Sequence, residues 1–209
     1  MQHKNYYWSA RISMTLLTFS IFTILFTIFL STPIPTHAAA TACPPGMSCG
    51  SYTISGLGAR KQQVLQSGAT TLDLAVAMLE TDTMQASFYP YGDNKTYASA
   101  NFGIFKQNWY MLRSACSSFS GLSSTQYNNG AVLNSSLSMD IACMNQSQHF
   151  YGTNTWFAGE RDGQTGLSYP NTPDINNYKT AVYWIQSQLT SNSANLSNNT
   201  RFWVVVPSI

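Results

Sequence analysis

Residues 71–80, TLDLAVAMLE, constrain the fold of this chain more than any other segment, because they are apolar on nearly every face of a helix. One apolar face has helical spacing and consists of Leu72, Ala75, Val76 and Leu79. Leu74 and Met78 extend the apolar surface to a neighbouring face. A helix that is apolar on most sides is buried. The pattern therefore predicts a central helix, with Thr70 and Asp73 forming a capping box at its start.

Glu80 ends this segment and lies four residues after Val76, on the continuation of the apolar face. We expect its carboxyl to face the core or the floor of a cleft. Desolvation there raises the pKa of a carboxyl, as a general acid requires. The alternative is a helix-terminal Glu that reaches solvent. Asp82 lies two residues later and does not share this face, so we expect it to have a structural or supporting role.

Asp93 is the most suitable partner for Glu80 among the eight acidic residues, all of which follow position 40. It lies in a turn-rich segment, residues 88–100, that predicts irregular or short antiparallel structure. Three other acids have structural interpretations: Asp73 caps a helix, Asp174 lies at a helix start, and Asp140 lies in the middle of a helix. Glu160 and Asp162 lie in a loop beside Arg161, and this loop either forms a structural network or lines a cleft. Hydrolysis of a glycosidic bond requires one carboxylic acid and one carboxylate on the other side of the bond.

Other reaction classes fit the sequence poorly. It contains no phosphate-binding loop, and a Ser–His triad would depend on His149 alone. It also contains no Cys-x-x-Cys motif, and His149 is the one His beyond position 40. We therefore expect neither a metal site nor a cofactor.

The first forty residues have the features of a signal peptide. Basic residues lie near the start, an uncharged apolar run covers residues 12–30, and small residues suited to signal peptidase cover residues 38–42. We expect cleavage after Ala40, with Ala38 or Ala42 as alternatives, and a secreted, extracellular protein. The other interpretation is a signal anchor, since a run of this length can span a bilayer.

Residues 41–209 contain no internal repeat and no linker, so we expect one catalytic domain. Lys4 and Arg11 are two of the ten basic residues, so the formal charge falls from +2 to zero in this domain. The lack of a basic run argues against nucleic acid, and against a membrane surface after signal cleavage, as partners. Abundant aromatic residues with few charges suit a neutral, hydroxyl-rich ligand, and we expect a monomer.

Four cysteines indicate an oxidising compartment and allow three pairings. Cys43 and Cys49 flank a Pro-Pro-Gly turn and can close a small loop, whereas Cys116 follows one predicted helix and Cys143 ends another. We favour Cys43–Cys49 with Cys116–Cys143. Sequons for N-glycosylation also suit secretion and occur at Asn94, Asn134, Asn145, Asn195 and Asn198.

Helices dominate the other predictions. Helical patterns cover residues 57–65, 105–115, 133–144 and 172–189, the last with Thr172 as its cap and Pro173 at its first position. Loops or irregular segments are predicted for residues 43–55, 117–130, 156–170 and 190–200, and a terminal strand for residues 202–206. The sequence therefore predicts an α+β domain that is mainly helical, with a small antiparallel β element beside the helix that carries Glu80.

Several segments together resemble glycoside hydrolase family 134: YGDNKT at 91–96, NFGIFKQNW at 101–109, WFAG at 156–159, TGL at 165–167 and RFWV at 201–204. The order of Glu80, Asp93 and the aromatic-Gly-apolar segment is also similar to the active-site layout of goose-type lysozymes. The resemblance implies a secreted endo-β-1,4-mannanase with a lysozyme-like fold, acting on mannan with inversion of configuration. It implies Glu80 as general acid and Asp93 as the general base that activates water.

Asn101 stands where chicken-type lysozymes carry a carboxylate, so their retaining chemistry is not implied. Inversion needs a second carboxylate about 6.5–9.5 Å from the acid, with room for water between them. A glycan on Asn94 would crowd a cleft at Asp93, so we expect that sequon to be unoccupied. Two other functions remain open, a lysozyme-like hydrolase of peptidoglycan or chitin and a non-catalytic carbohydrate-binding protein.

The candidates for substrate contacts are Lys95, Asn101, Lys106, Gln107 and Trp109. Trp156 and Phe157 are candidate platforms on which sugar rings stack. For Trp109, helical spacing also favours a place in the core, and we expect Phe102 and Phe105 to be core residues.

Overall fold

The computed structural model describes residues 41–88 and 91–207, and the signal peptide predicted for residues 1–40 lies outside them. Its α-helices are α1 (Leu57–Gln66), α2 (Thr71–Glu80), α3 (Trp109–Ala115), α4 (Leu137–Tyr151), α5 (Thr153–Ser168) and α6 (Pro173–Ser191). Its strands form two antiparallel pairs, β1 (Ser48–Thr53) with β4 (Thr200–Val205), and β2 (Asn101–Phe102) with β3 (Gln107–Asn108). The predicted mainly helical α+β class is confirmed. Within the described ranges, no helix has the length and apolar character to cross a membrane.

Helix α2 lies in the centre of the main core. Residues 74–78 have no exposed surface, as their all-round apolar pattern predicts. The helix packs chiefly against α6, whose Val182 and Ile185 belong to the same buried cluster. Burying a side chain the size of Leu, Val or Met stabilises the fold by about 1.5–3 kcal/mol. The position of α2 is therefore among the most strongly determined in the protein.

A buried carboxylate fixes the start of α2. The amide of Asp73 donates to Thr70 Oγ1, and Asp73 Oδ2 accepts from the amide of Thr70 at 2.8 Å, which confirms the capping box. Asp73 Oδ1 accepts a second bond, from Gln148 Nε2 of α4, also at 2.8 Å. Asp73 has no exposed surface. One side chain thus caps α2 and joins it to α4.

An arginine of the terminal strand fixes the other end of α2. Arg201 is almost fully buried and donates to the carbonyl oxygens of Met78 at 2.9 Å and Asp82 at 3.2 Å. Its guanidinium also pairs with the exposed carboxylate of Asp82 at 3.1 Å. Asp82 therefore has the structural role that its position predicts.

Strand β1 lies within residues 43–55, where the prediction of a loop was wrong. It pairs with β4 so that Cys49 lies opposite Val204 and Tyr52 lies opposite Arg201. Its Gly, Ser and Thr residues lack the alternation of apolar and polar side chains that indicates a strand. The partner strand, which comes from the far end of the chain, supplies the apolar surface.

The loop predicted for residues 156–170 was also wrong, since most of it belongs to α5. The helix is distorted at Asp162 and Gly163, which leave helical geometry, with Gly163 at a φ of 53°. The Phe157 ring contacts the Tyr178 ring of α6 with 6.0 Å between centroids. Burial of large aromatic side chains against α6 outweighs the low helix propensity of the glycines.

The observed boundaries of the other elements differ less from the predicted ones. Helix α3 begins at Trp109, later than predicted, because residues 103–106 form the turn between β2 and β3. The segment predicted as a polar loop at 117–130 contains two 3₁₀ stretches, Ser117–Phe119 and Ser124–Asn134. The predicted start of α6 is confirmed, since Thr172 Oγ1 accepts from the amide of Ile175 and Pro173 is the first helical residue.

Two disulfides join Cys43 to Cys49 and Cys116 to Cys143, the pairing that the sequence favoured. Cys116 directly follows α3, and Cys143 lies in α4. Both belong to a second buried cluster, which also contains Phe102 and Trp109. The second disulfide thus holds together the two helices that carry this cluster.

Replacing Asp73 tests the bonds at the start of α2. Asp73→Ala is expected to lower the free energy of unfolding by about 2–3 kcal/mol, because the cap is lost and the amide of Gln148 loses its acceptor. Thr70→Ala removes the two bonds of the Thr70 hydroxyl with Asp73 but leaves the bond with Gln148, and it is expected to lower the free energy of unfolding by about 1 kcal/mol. Urea unfolding followed by circular dichroism measures both. Equal losses would contradict the role given to the bond with Gln148.

Candidate active site

Two adjoining cavities form one polar cleft at the end of α2. The smaller, of about 140 Å³, has among its lining residues Glu80, Asp93, Lys106 and Tyr178. The larger, of about 260 Å³, has among its lining residues Tyr110, Asn108 and Gln164. Both cavities share the side chains of Lys95, Asn101, Glu160 and Arg161. Because these residues line both spaces, the two cavities adjoin, and we call them together the cleft.

Glu80 is the last residue of α2, and it is partly exposed in the smaller cavity. Tyr178 of α6 donates its hydroxyl hydrogen to Glu80 Oε1 at 2.8 Å. Desolvation by burial raises the pKa of Glu80, although the Tyr178 bond and the charges of Arg161 and Lys106 oppose the change. A raised pKa keeps the carboxyl protonated to higher pH, which is the state a general acid needs.

Asp93 lies in the 3₁₀ turn Tyr91–Asn94, on a different element from Glu80. Its backbone φ is 58°, and Gly92 and Asn94 also have positive φ. Lys106 Nζ lies 2.9 Å from Asp93 Oδ1 in an ion pair. Lys106 is 8% exposed and has a φ of 54°. Such backbone angles are uncommon for residues other than glycine, and they concentrate at functional sites.

Asp140 lies in the core and anchors the hairpin of β2 and β3. The turn of this hairpin carries Lys106. Asp140 is fully buried in the first turn of α4, whereas the sequence predicts a mid-helix position. Its Oδ2 accepts from the amide of Ile104 at 2.7 Å, and its Oδ1 accepts from Gln107 Nε2 at 2.6 Å. Burial raises the pKa of Asp140 to about 7, against the opposing effect of these bonds. The turn that presents Lys106 to Asp93 is therefore anchored on α4.

Glu160 of α5 is a third carboxyl in the cleft, so the cleft-lining interpretation of this acid is the one that the structure supports. Its Oε2 accepts from the backbone amide of Asn108 at 3.1 Å. Desolvation by burial raises the pKa of Glu160 well above its usual value, and the nearby charge of Glu80 adds to the rise. The Glu160 carboxyl therefore keeps its proton to higher pH than an ordinary glutamate does.

Arg161 supports Tyr178, the residue that holds Glu80. Its guanidinium makes two bonds to the Asp174 carboxylate, each of 2.7 Å. The same guanidinium lies 5.8 Å from the centroid of the Tyr178 ring. The ion pair thus places a positive charge beside both Tyr178 and the cleft.

The structure divides the candidate substrate contacts into two groups. The candidates that line the cleft are Lys95, Asn101 and Lys106. Gln107 and Trp109 have no exposed surface, so their prediction as contacts was wrong. The Gln107 amide is bonded to Asp140, and the Trp109 ring packs between Phe102 and Phe119. Trp109 thus follows its alternative interpretation as a core residue.

The prediction that Trp156 and Phe157 are platforms for sugar stacking was wrong. Both lie on the face of α5 that packs into the core, and neither has any exposed surface. A ring without exposed surface cannot contact a sugar. The sequence marks them as aromatic residues near the cleft, but it does not show which face of α5 they occupy.

The comparison with known families identifies one match. The model of glycosyl hydrolase family 134 matches residues 58–206, which include every residue described above for the cleft. No match was found among curated proteins.

Replacing Gly103 tests the anchor at Asp140. A Cβ at Gly103 would overlap the Asp140 carboxylate, and the backbone there has a φ of 77°. Gly103→Ala is therefore expected to lower the melting temperature strongly. Gly121 has a φ of 81°, but a Cβ added there would meet no atom within 4 Å, so Gly121→Ala is a matched control. The free energy of unfolding of Gly121→Ala should fall only by the cost of a positive φ for a residue with a Cβ, about 1–2 kcal/mol. Similar losses in both variants would contradict the anchor.

Because buried carboxyls have raised pKa values, we expect the fold to be more stable in acid than at neutral pH. The pKa of Asp140 is about 7 in the folded protein, whereas an unperturbed aspartate has a pKa of 3.8. A raised folded pKa gives stability that is fully present below the unfolded value and is lost as pH rises towards the folded value. The melting temperature is therefore expected to fall between about pH 4 and about pH 7, and to fall less in Asp140→Asn. A melting temperature that rises over this range would contradict the burial of these groups.

Proposed function

The chain belongs to glycosyl hydrolase family 134 and is a glycoside hydrolase, and we propose that it is a secreted enzyme that cleaves β-1,4-mannosidic bonds within mannan, with inversion. The substrate and the stereochemistry follow from the resemblance of residues 91–96 and 101–109 to that family. Both segments lie inside the matched range and form walls of the cleft. The polysaccharide is thus proposed to lie across the two cavities.

The observation that carries the proposal is the presence of Glu80 and Asp93 in one cavity, in different environments. Glu80 ends a buried helix, and burial raises its pKa. Asp93 lies on a turn and is paired with the ammonium group of Lys106. Carboxyls in environments that differ in this way suit the separate roles of acid and base.

Glu80 is assigned the acid step. Tyr178 donates a hydrogen bond to Oε1 of Glu80, so Oε2 is the oxygen left to carry a proton towards the substrate. As the bond between the anomeric carbon and the glycosidic oxygen breaks, that proton passes to the leaving oxygen. Loss of the proton leaves a carboxylate near the positive charges of Arg161 and Lys106.

Asp93 is assigned the base step. A water molecule attacks the anomeric carbon from the side opposite the leaving oxygen, and its proton passes to the Asp93 carboxylate. Lys106 holds that carboxylate at 2.9 Å on one oxygen, Oδ1, which leaves Oδ2 for the water. The attack on the opposite face inverts the anomeric configuration.

Asn101 supports inversion over retention. It lines the cleft together with Glu80 and Glu160, at the position where a retaining lysozyme carries a carboxylate. Its amide cannot act as the second carboxylate, and its Oδ1 accepts a bond from Asn108 Nδ2 at 3.3 Å. The proposal also keeps Asn94 without a glycan, since this exposed residue directly follows Asp93.

Replacing either carboxyl tests the assignment. Glu80→Gln and Asp93→Asn are each expected to lower kcat on soluble mannan by about 10²–10⁴-fold, because each removes one proton transfer. Asp82→Asn changes a nearby exposed acid outside the cleft, and it serves as the control. Release of reducing ends measures all three variants, and full activity in either cleft variant would overturn the assignment.

The same assays separate the alternatives. NMR of the first-formed product should show the α-anomer, since inversion changes the configuration of a β-bond, and a β-anomer would contradict inversion. Clearing of peptidoglycan without release of manno-oligosaccharides would favour a lysozyme-like substrate instead. Binding of polysaccharide without any product would favour a non-catalytic role.

A further inference from the structure

With Trp156 and Phe157 in the core, other aromatic residues must be considered as sugar contacts. Three tyrosines form a cluster beside the cleft, and we call Tyr91, Tyr97 and Tyr127 the tyrosine platform. Tyr91 is 43% exposed and Tyr97 is 56% exposed, while Tyr127 is partly exposed between them. Solvent-exposed aromatic rings are frequent singly, but a cluster of them on a surface indicates a binding site.

The rings of the tyrosine platform contact each other in a row. The ring centroids of Tyr91 and Tyr127 are 6.2 Å apart, and those of Tyr97 and Tyr127 are 5.9 Å apart. The interplanar angles are 51° and 49°, so neighbouring rings are tilted against each other and are not stacked face to face. These separations are comparable to the length of one pyranose ring in a β-1,4-linked chain.

The tyrosine platform has a rigid base in the second core cluster. The Tyr91 ring packs edge-on against Phe102, with 5.7 Å between centroids, and Phe102 in turn packs against Trp109. Both of these supporting rings are fully buried. Tyr127 packs on the same cluster. Tyr91 and Tyr127 are therefore held in place before any ligand binds, which reduces the entropy lost on binding, and Tyr97 packs against Tyr127.

The backbone at the tyrosine platform carries conformational strain. Tyr97 has a φ of 54°, which is unfavourable for a bulky side chain, and Asp93 and Asn94 in the same segment also have positive φ. Strain of this kind persists where the surrounding structure holds it, and it concentrates at functional sites. The strained segment is the one that carries both Asp93 and two of the platform rings.

The tyrosine platform is continuous with the cleft. Tyr91 lies in the same 3₁₀ turn as Asp93. Tyr97 is followed by Ala98 and Ser99, which line the larger cavity together with Lys95. A polysaccharide chain that leaves the cleft on this side would therefore meet the three rings.

We propose that the tyrosine platform binds sugar units of the β-1,4-linked chain that lie outside the cleft, by stacking against their C–H faces. The proposal rests on the proposed function for the identity of the polysaccharide. The rings are neutral and polarisable, and their hydroxyl groups can bond to sugar hydroxyls. The platform thereby adds affinity for long chains and gives little to substrates that end within the cleft.

Substitution of Tyr97 tests the proposal by comparing a long and a short substrate. Tyr97→Ala, and the double variant with Tyr91→Ala, are expected to raise KM on soluble mannan by roughly three- to tenfold. The ratio of kcat/KM on mannan to that on mannotetraose should fall by a similar factor. Tyr97→Phe keeps the ring, and most of the wild-type ratio should return. Affinity electrophoresis in mannan, on the Glu80→Gln background, measures binding without turnover.

Tyr169→Ala is the matched control, because Tyr169 is 67% exposed but directly follows α5 and lines neither cavity of the cleft. Its substrate ratio should equal that of the wild type. An unchanged ratio in the Tyr97 and Tyr91 variants, with melting temperatures near that of the wild type, would overturn the platform. Equal losses in Tyr97→Phe and Tyr97→Ala would overturn stacking as its mode of binding. If the wild type neither binds nor cleaves mannan, the proposed function fails instead, and retention of chitosan in the same gels then tests the platform.

Discussion

The cleft depends on the burial of one helix, α2, whose central residues have no exposed surface. The backbone groups of a helix that lack a partner within the helix lie in its first and last turns. In α2 a buried charged side chain bonds to the backbone at each end. Asp73 caps the start of α2, and Arg201 binds the carbonyl of Met78 near its end. Glu80 is the last residue of this helix, so the packing of the main core sets its position. Burial is also the largest cause of the rise in its pKa.

The two sides of the cleft have separate supports that meet in the core. Glu80 is held by α2 and by Tyr178 of α6, whereas Asp93 is held by Lys106, whose turn is anchored through Asp140 on α4. The bond between Asp73 and Gln148 joins α2 to α4 and so connects the two supports. A small set of polar bonds thus fixes the relative positions of two carboxyls that lie on different elements. The buried bonds of this set are strengthened by the low dielectric constant around them.

Local patterns predicted the parts of the structure that local interactions determine. The capping box at Thr70, the burial of α2 and the start of α6 all follow from residues within one or two turns of each other. Asp140 was missed as an anchor because its partners, Ile104 and Gln107, come from a distant part of the chain. Strand β1 was missed for the same reason. Glycines concealed the helix at Trp156 and Phe157, since its stability comes from burial against α6, which sequence spacing does not show.

The pairing of the two terminal strands has a mechanical consequence. Ser48 lies opposite Val205 and Thr53 lies opposite Thr200, so the two ends of the domain leave the sheet side by side. A force that pulls the ends apart would open this pair like a zipper, one hydrogen bond after another, instead of shearing all bonds together. The Cys43–Cys49 disulfide moves the point of loading to Cys49, opposite Val204. Under tension the sheet would therefore open before the load reaches Arg201 and, through it, the end of α2.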